Sequence, residues 1–178
     1  MTRMLSLILA LWAGSLWAVS FESESELFMR RSGESFVQCP AGRHELSVGD
    51  TILLGKNQTL LLLGEDGSKY TVGEKSSIRL ESVNQKAKTL QLLLVKGSVR
   101  VSAVQPGSVV RTFGLQVRCQ PGLLDILADT GKSLVIPQRG QGAVAYSSHQ
   151  VKKILLGQKA LVDQKGIVTI QGKARQTK

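Results

Sequence analysis

The sequence predicts an all-β protein of solenoid-like or sandwich-like form, and three observations carry that expectation. Apolar and polar residues alternate in several stretches, the signature of strands with one face in a core. Turn signals such as "VGD", "EDGS", "VKGS", "QPGS", "DTGKS", "RGQG" and "DQKG" recur about every ten residues, a spacing typical of sandwiches, barrels and solenoids. No apolar pattern of helical period runs for a useful length after the first twenty or so residues.

Taken in order, the chain opens with Arg3, an apolar run "MLSLILALWAG" and a small-residue exit "SLWAVS". That is the pattern of a secretory signal peptide over 1–18, with cleavage after Ala18 or Ser20. The run is short of the ~20 residues a bilayer span needs, so no transmembrane span is expected once the leader is removed. The expected location is periplasmic or secreted. About 158 of the 178 residues then remain, one domain by length.

Residues 19–32, including "FESESE", read as a loose polar segment. From 33 to 170 strands dominate. "SVRVSAV" places Val99, Val101 and Ala103 on one face, and "VVRTFGLQVRC" places Phe113, Leu115, Val117 and Cys119 on one side. Ile78 and Leu80 flank Arg79, and residues 167–170 make a last short strand. "TLLLLG", "LQLLLV" and "SLVIP" are nearly continuous apolar runs, which suit strands covered on both faces. Residues 171–178 form a basic tail. A Gly-then-β pattern recurs in "GESFV", "GSVRV", "GAVAY" and "GIVTI", but at unequal intervals, so it is no repeat of fixed period.

Chemistry is sparse. Gly131-Lys132-Ser133 resembles the end of a phosphate-binding loop, but the position where such a loop needs its first Gly is Ile126. The tripeptide also leads into "LVIP" rather than a helix, so it reads as a hairpin corner. His44 and His149 stand far apart with no metal-spaced partners. Asp125 and Asp129 share one side of a strand, but nothing suggests a substrate cleft between them. No catalytic constellation and no cofactor site is expected.

The formal charge of +10 would suggest nucleic acid in a cytosolic protein. Export removes nucleic acid as a partner and leaves anionic polysaccharide or lipid headgroups, with Lys152, Lys153, Lys173, Arg175 and Lys178 as candidate contacts. Cys39 and Cys119 are too far apart for a CxxC motif. An even count in an oxidising compartment favours one disulfide between them, and two separate buried thiols are the alternative.

The order of these motifs resembles a FecR domain. "VGDTILLGKNQTLLLLGEDGSKYTVGEKSSIRLES" is similar to the first half of that family, with its Gly-Asp opening, apolar strand, Asp-Gly-Ser turn and Ser-flanked strand. "LQLLLVKGSVRV" and "LLGQKALVDQKG" resemble its Gly-Ser-Val-Arg-Val corner and its closing Leu-x-x-Gly-Gln turn. After "VR" the family usually places Gly-Thr, whereas this chain has Cys119-Gln120-Pro121-Gly122, a corner that Cys119 would tether. FecR regulators carry a cytoplasmic anti-sigma segment and a membrane span ahead of the periplasmic domain, whereas this chain looks like a free-standing FecR-like protein. The resemblance implies a non-catalytic binding, scaffold or sensing module that meets another envelope protein.

Overall fold

Seventeen strands and no helix make up residues 18–163 and 165–175, the part of the chain that the computed structural model describes. The all-β expectation holds. The leader expected over 1–18 lies outside the described residues except for Ala18, which opens the first strand.

The strands of the first half are β1 Ala18–Ser23, β2 Leu27–Arg30, β3 Val37–Cys39, β4 Gly42–Ser47, β5 Thr51–Leu53, β6 Leu60–Leu63, β7 Lys69–Val72 and β8 Ser77–Asn84. The long β9, Thr89–Ala103, stands in the middle. The second half supplies β10 Val109–Thr112, β11 Leu115–Cys119, β12 Gly122–Asp129, β13 Lys132–Gly140 and β14 Ala143–Ser147. It ends with β15 Val151–Ile154, β16 Lys159–Val162 and β17 Val168–Gln171.

Pairing sorts the strands into two sheets that share β9. Sheet A runs β4-β1-β6-β7-β9-β12-β13-β16-β17. Sheet B runs β3-β2-β5-β8-β9-β10-β11-β14-β15. The first half of β9 pairs with β8 and β10 in sheet B, and its second half pairs with β7 and β12 in sheet A. The "VKGS" signal is therefore a bend inside a strand rather than a turn between two. Gly97 makes the bend possible: its φ is 99°, and a Cβ there would sit 2.0 Å from the Ser76 hydroxyl oxygen and 2.6 Å from its Cα. The Ser76 hydroxyl accepts the Ser98 N–H at 3.0 Å and so ties the bend to the chain just ahead of β8.

The core lies between the sheets as one apolar cluster. Sheet A contributes Phe21, Leu46, Leu62, Val101 and Ile126, and sheet B contributes Leu27, Ile52, Leu80, Leu92 and Val117. A buried polar contact crosses it, with the Thr112 hydroxyl 2.6 Å from that of Ser133.

Two expectations need correction here. Residues 19–32 are not loose, because alternation in "VSFESESELFMR" sends Val19, Phe21, Ser23, Leu27 and Met29 inward and the glutamates outward. β1 is built into sheet A between the edge strand β4 and β6. Phe113, expected beside Leu115, is instead exposed in the two-residue loop of the β10–β11 hairpin, which Thr112 and Leu115 close.

The expected bridge between Cys39 and Cys119 is absent, and both are buried free thiols. Topology accounts for this. Cys39 is on β3, at one edge of sheet B, and Cys119 is on β11, six strand spacings along the same sheet. At ~4.8 Å per spacing that is roughly 29 Å along the sheet, whereas a disulfide needs Cα atoms within about 7 Å.

Candidate functional site

The sequence residues that looked most chemical prove structural. Gly131-Lys132-Ser133 is the returning side of the β12–β13 hairpin: Asp129 pairs with Lys132, leaving Thr130 and Gly131 as the loop. Gly131 takes φ 71°, and the Asp129 carboxylate accepts the Thr130 N–H at 2.8 Å. The buried Asp50 also serves a corner, accepting from Arg31 at 2.6 Å and from the Ser47 and Ser32 amides at 2.9 and 3.2 Å. The His44 ring lies 2.9 Å from the Pro40 carbonyl oxygen, and His149 is exposed beside a turn. Among the described residues no three His, Cys, Asp or Glu side chains gather where they could hold a metal ion.

The candidate anion contacts are dispersed. Lys152 and Lys153 are neighbours on β15 and so face opposite ways, and their strand is an edge of sheet B. Lysines there guard the edge against pairing with another chain. Lys173 and Arg175 follow β17, where the Arg175 amide donates to the Leu156 carbonyl at 2.7 Å and anchors the tail to the β15–β16 turn. Lys178 lies outside the described residues.

The feature that sequence reasoning missed is on the outward face of sheet A. The apolar runs that imply coverage on both faces are covered on one only. Cross-strand register lines up Ser98, Leu127, Leu134, Leu161 and Thr169 across β9, β12, β13, β16 and β17. Ile136, opposite Asp125, lies in the next row and Leu123 four residues along β12 from Leu127, so five aliphatic side chains share the face. Leu127, at 40% exposure, is the most open of them. It stands between two shallow depressions of about 330 and 450 Å³, and Lys75, Lys96 and Lys132 rim the larger.

A fixed ion pair sits within this patch. Arg100 of β9 and Asp125 of β12 are directly opposed in register. The guanidinium donates through Nε at 2.7 Å and Nη2 at 3.0 Å, and the Gln138 amide donates to the same carboxylate at 2.9 Å. The Arg100 hydrogen bonds hold the Asp125 carboxyl below the usual carboxylate range, and that carboxylate in turn raises Arg100. A carboxylate kept charged and already accepting three bonds is a poor general acid or base. It is suited to fixing the shape and polarity of a contact surface.

Solved structures resemble the architecture described above. Two crystal structures of a "putative anti-sigma factor" from Parabacteroides distasonis ATCC 8503 superpose with TM-scores of 0.58 and 0.57, at 14% and 13% sequence identity. Each match covers 70% of this chain and 60% of the other, so the chain spans less than two thirds of those proteins. At this identity the likeness is one of fold. No protein-family model matches the chain, and a comparison with curated proteins finds no match.

Proposed function

We propose that this chain is an exported FecR-like module, without catalytic activity, that works by holding a protein partner in the cell envelope. The observation that carries this reading is the outward face of sheet A. Five aliphatic side chains, a fixed Arg100–Asp125 pair and a lysine rim meet on a surface that no described part of the chain covers. Apolar centres with polar rims are the general anatomy of protein interfaces. Three of the four edges are poor candidates, since β3 is only three residues long, β15 carries Lys152 and Lys153, and β4 carries Arg43 and Glu45. The fold shared with the Parabacteroides proteins fits a regulatory or sensing role.

The test is photo-crosslinking from position 127 of the exported protein in intact cells, with Leu134→Asp as the interface variant and Leu93→Asp, on the outward face of sheet B, as control. Crosslinked partners should disappear in Leu134→Asp and persist in Leu93→Asp, with both variants melting like the parent. An unchanged set of partners in Leu134→Asp would sink the reading.

A further inference from the structure

The two outward faces of the sandwich differ in charge, and the difference does not follow from the partner face described above. On sheet A the exposed charges of the strands mix: Glu22 opposes Arg43, Asp125 opposes Arg100, and Glu45, Lys69 and Lys159 stand among them. On sheet B the strands present Arg30, Arg79, Arg111, Arg118 and Lys153 outward, against Glu81 alone. In sequence these cations are scattered from 30 to 153. Cross-strand register brings them into file.

One row runs Arg30–Thr51–Arg79–Leu93–Arg111, from β2 through β5, β8 and β9 to β10. A cation thus recurs on every second strand, about 10 Å apart at two strand spacings. The adjoining row continues the file: Arg118 opposes Val109, two residues along from Arg111, and Arg118–Val144–Lys153 carries it on to β15. From β2 to β15 the file crosses seven strand spacings, roughly 34 Å. Three side chains are held in place. Arg111 donates to Glu81 at 3.1 Å, Arg30 lies 4.9 Å over the Phe36 ring, and Arg118 lies 5.6 Å over Tyr146.

We propose that the outward face of sheet B is a binding track for a linear anionic polysaccharide. Four of the five cations are arginines, whose planar fork pairs with carboxylate and sulfate groups in two-point fashion. Each row of the file is one residue wide, with Thr51 and Leu93 between cations of the first row and Val144 within the second, and the file runs across the strands with a single two-residue step between β10 and β11. A chain-like ligand with anions recurring near 10 Å matches that geometry, whereas a bilayer surface presents its charges in two dimensions. The reading is independent of the protein partner on sheet A, because no residue is shared between the two faces.

The experiment measures binding of size-fractionated, fluorescent heparin oligosaccharides to the exported protein by polarisation. Arg79→Gln/Arg118→Gln is compared with Lys69→Gln/Lys159→Gln, which removes the same net charge from the outward face of sheet A. The first pair should weaken binding roughly tenfold, as loss of two exposed ionic contacts implies, and the second less than about twofold. Affinity should rise with oligosaccharide length until the file is spanned, and fall steeply with added salt. Equal losses in the two double variants would reduce the effect to net charge and overturn the track. So would affinity independent of length, or anionic phospholipid vesicles bound as tightly as the longest oligosaccharide.

Discussion

Alkaline pH should unfold the protein through its buried thiols, Cys119 foremost. A free cysteine titrates near 9, but burial in the core pushes Cys119 up to about 12. Between those values the folded thiol stays neutral while the unfolded one gives up its proton. The unfolded state then binds fewer protons, so stability is fully present below about pH 8 and declines as pH rises towards 12. Each such group costs ~1.36 kcal/mol per pH unit, so Cys119 alone removes roughly 2.5 kcal/mol between pH 9 and 11. That is a large share of a total that is typically about 5–15 kcal/mol. Tyr70, likewise held neutral by burial, joins above about pH 10, and Cys39 is shifted in the same direction. The assay is urea unfolding followed by circular dichroism from pH 7 to 11 in reductant, on the parent and on Cys119→Ala. The variant should start less stable, because it leaves a small cavity. It should then lose stability less steeply than the parent from pH 9 to 10, by about 1 kcal/mol per unit. Parallel slopes would refute the reasoning. Thiol counting on the unfolded, unreduced protein should give two free thiols per chain.

Gly97→Ala should destabilise by about 3 kcal/mol or more, since its Cβ meets Ser76 backbone as well as strained φ. Gly33→Ala, which also has positive φ but open space around it, should cost only about 1 kcal/mol; chemical denaturation separates them. Thr112→Val or Ser133→Ala alone should cost about 1–3 kcal/mol by stranding a buried hydroxyl, and the double variant should cost less than the sum. Lys132→Ala should be nearly neutral, and ATP or GTP should leave the melting temperature unchanged, because a hairpin corner offers no phosphate cradle. If the chain carries the leader proposed for it, intact mass of the mature protein should show a start at Val19 rather than Phe21, since Val19 is buried in β1 opposite Leu46.

What the sequence disclosed was local. Alternation placed Val99, Val101 and Ala103 correctly, and likewise Ile78 and Leu80, because a strand with one wet face writes its burial in every second residue. The turn at Thr130–Gly131 was legible for a similar reason: its chemistry is contained in four residues. The non-local features were hidden. Nothing near "KGS" says that Ser76, twenty-one residues earlier, crowds Gly97, so a bend within a strand looked like a loop. The apolar runs read as doubly covered because "SLVIP" does not say whether a second layer exists outside it. The cationic file was beyond reach, since Arg79 and Arg118 fall on one line only through the order of β8, β9, β10 and β11. The two cysteines were misjudged for the same reason. Their residue count is compatible with a bridge, and only strand order shows that they sit far apart.

The position of β9 bears on the order in which the molecule assembles. Four strands of each sheet come from the chain before β9 and four from the chain after it. The two halves meet chiefly through that one strand, so neither can close its sheets until β9 is in place. A chain growing from its N-terminus therefore carries eight strands with two open flanks until residue 103 has been added. The later strands then add outward in sequence, each onto a sheet that already exists. β7 and β8 wait with unpaired edges until β9 arrives, and β9 then keeps its own edges toward β10 and β12 open until the second half follows, so a chain ending before residue 103 should aggregate more readily than the complete one.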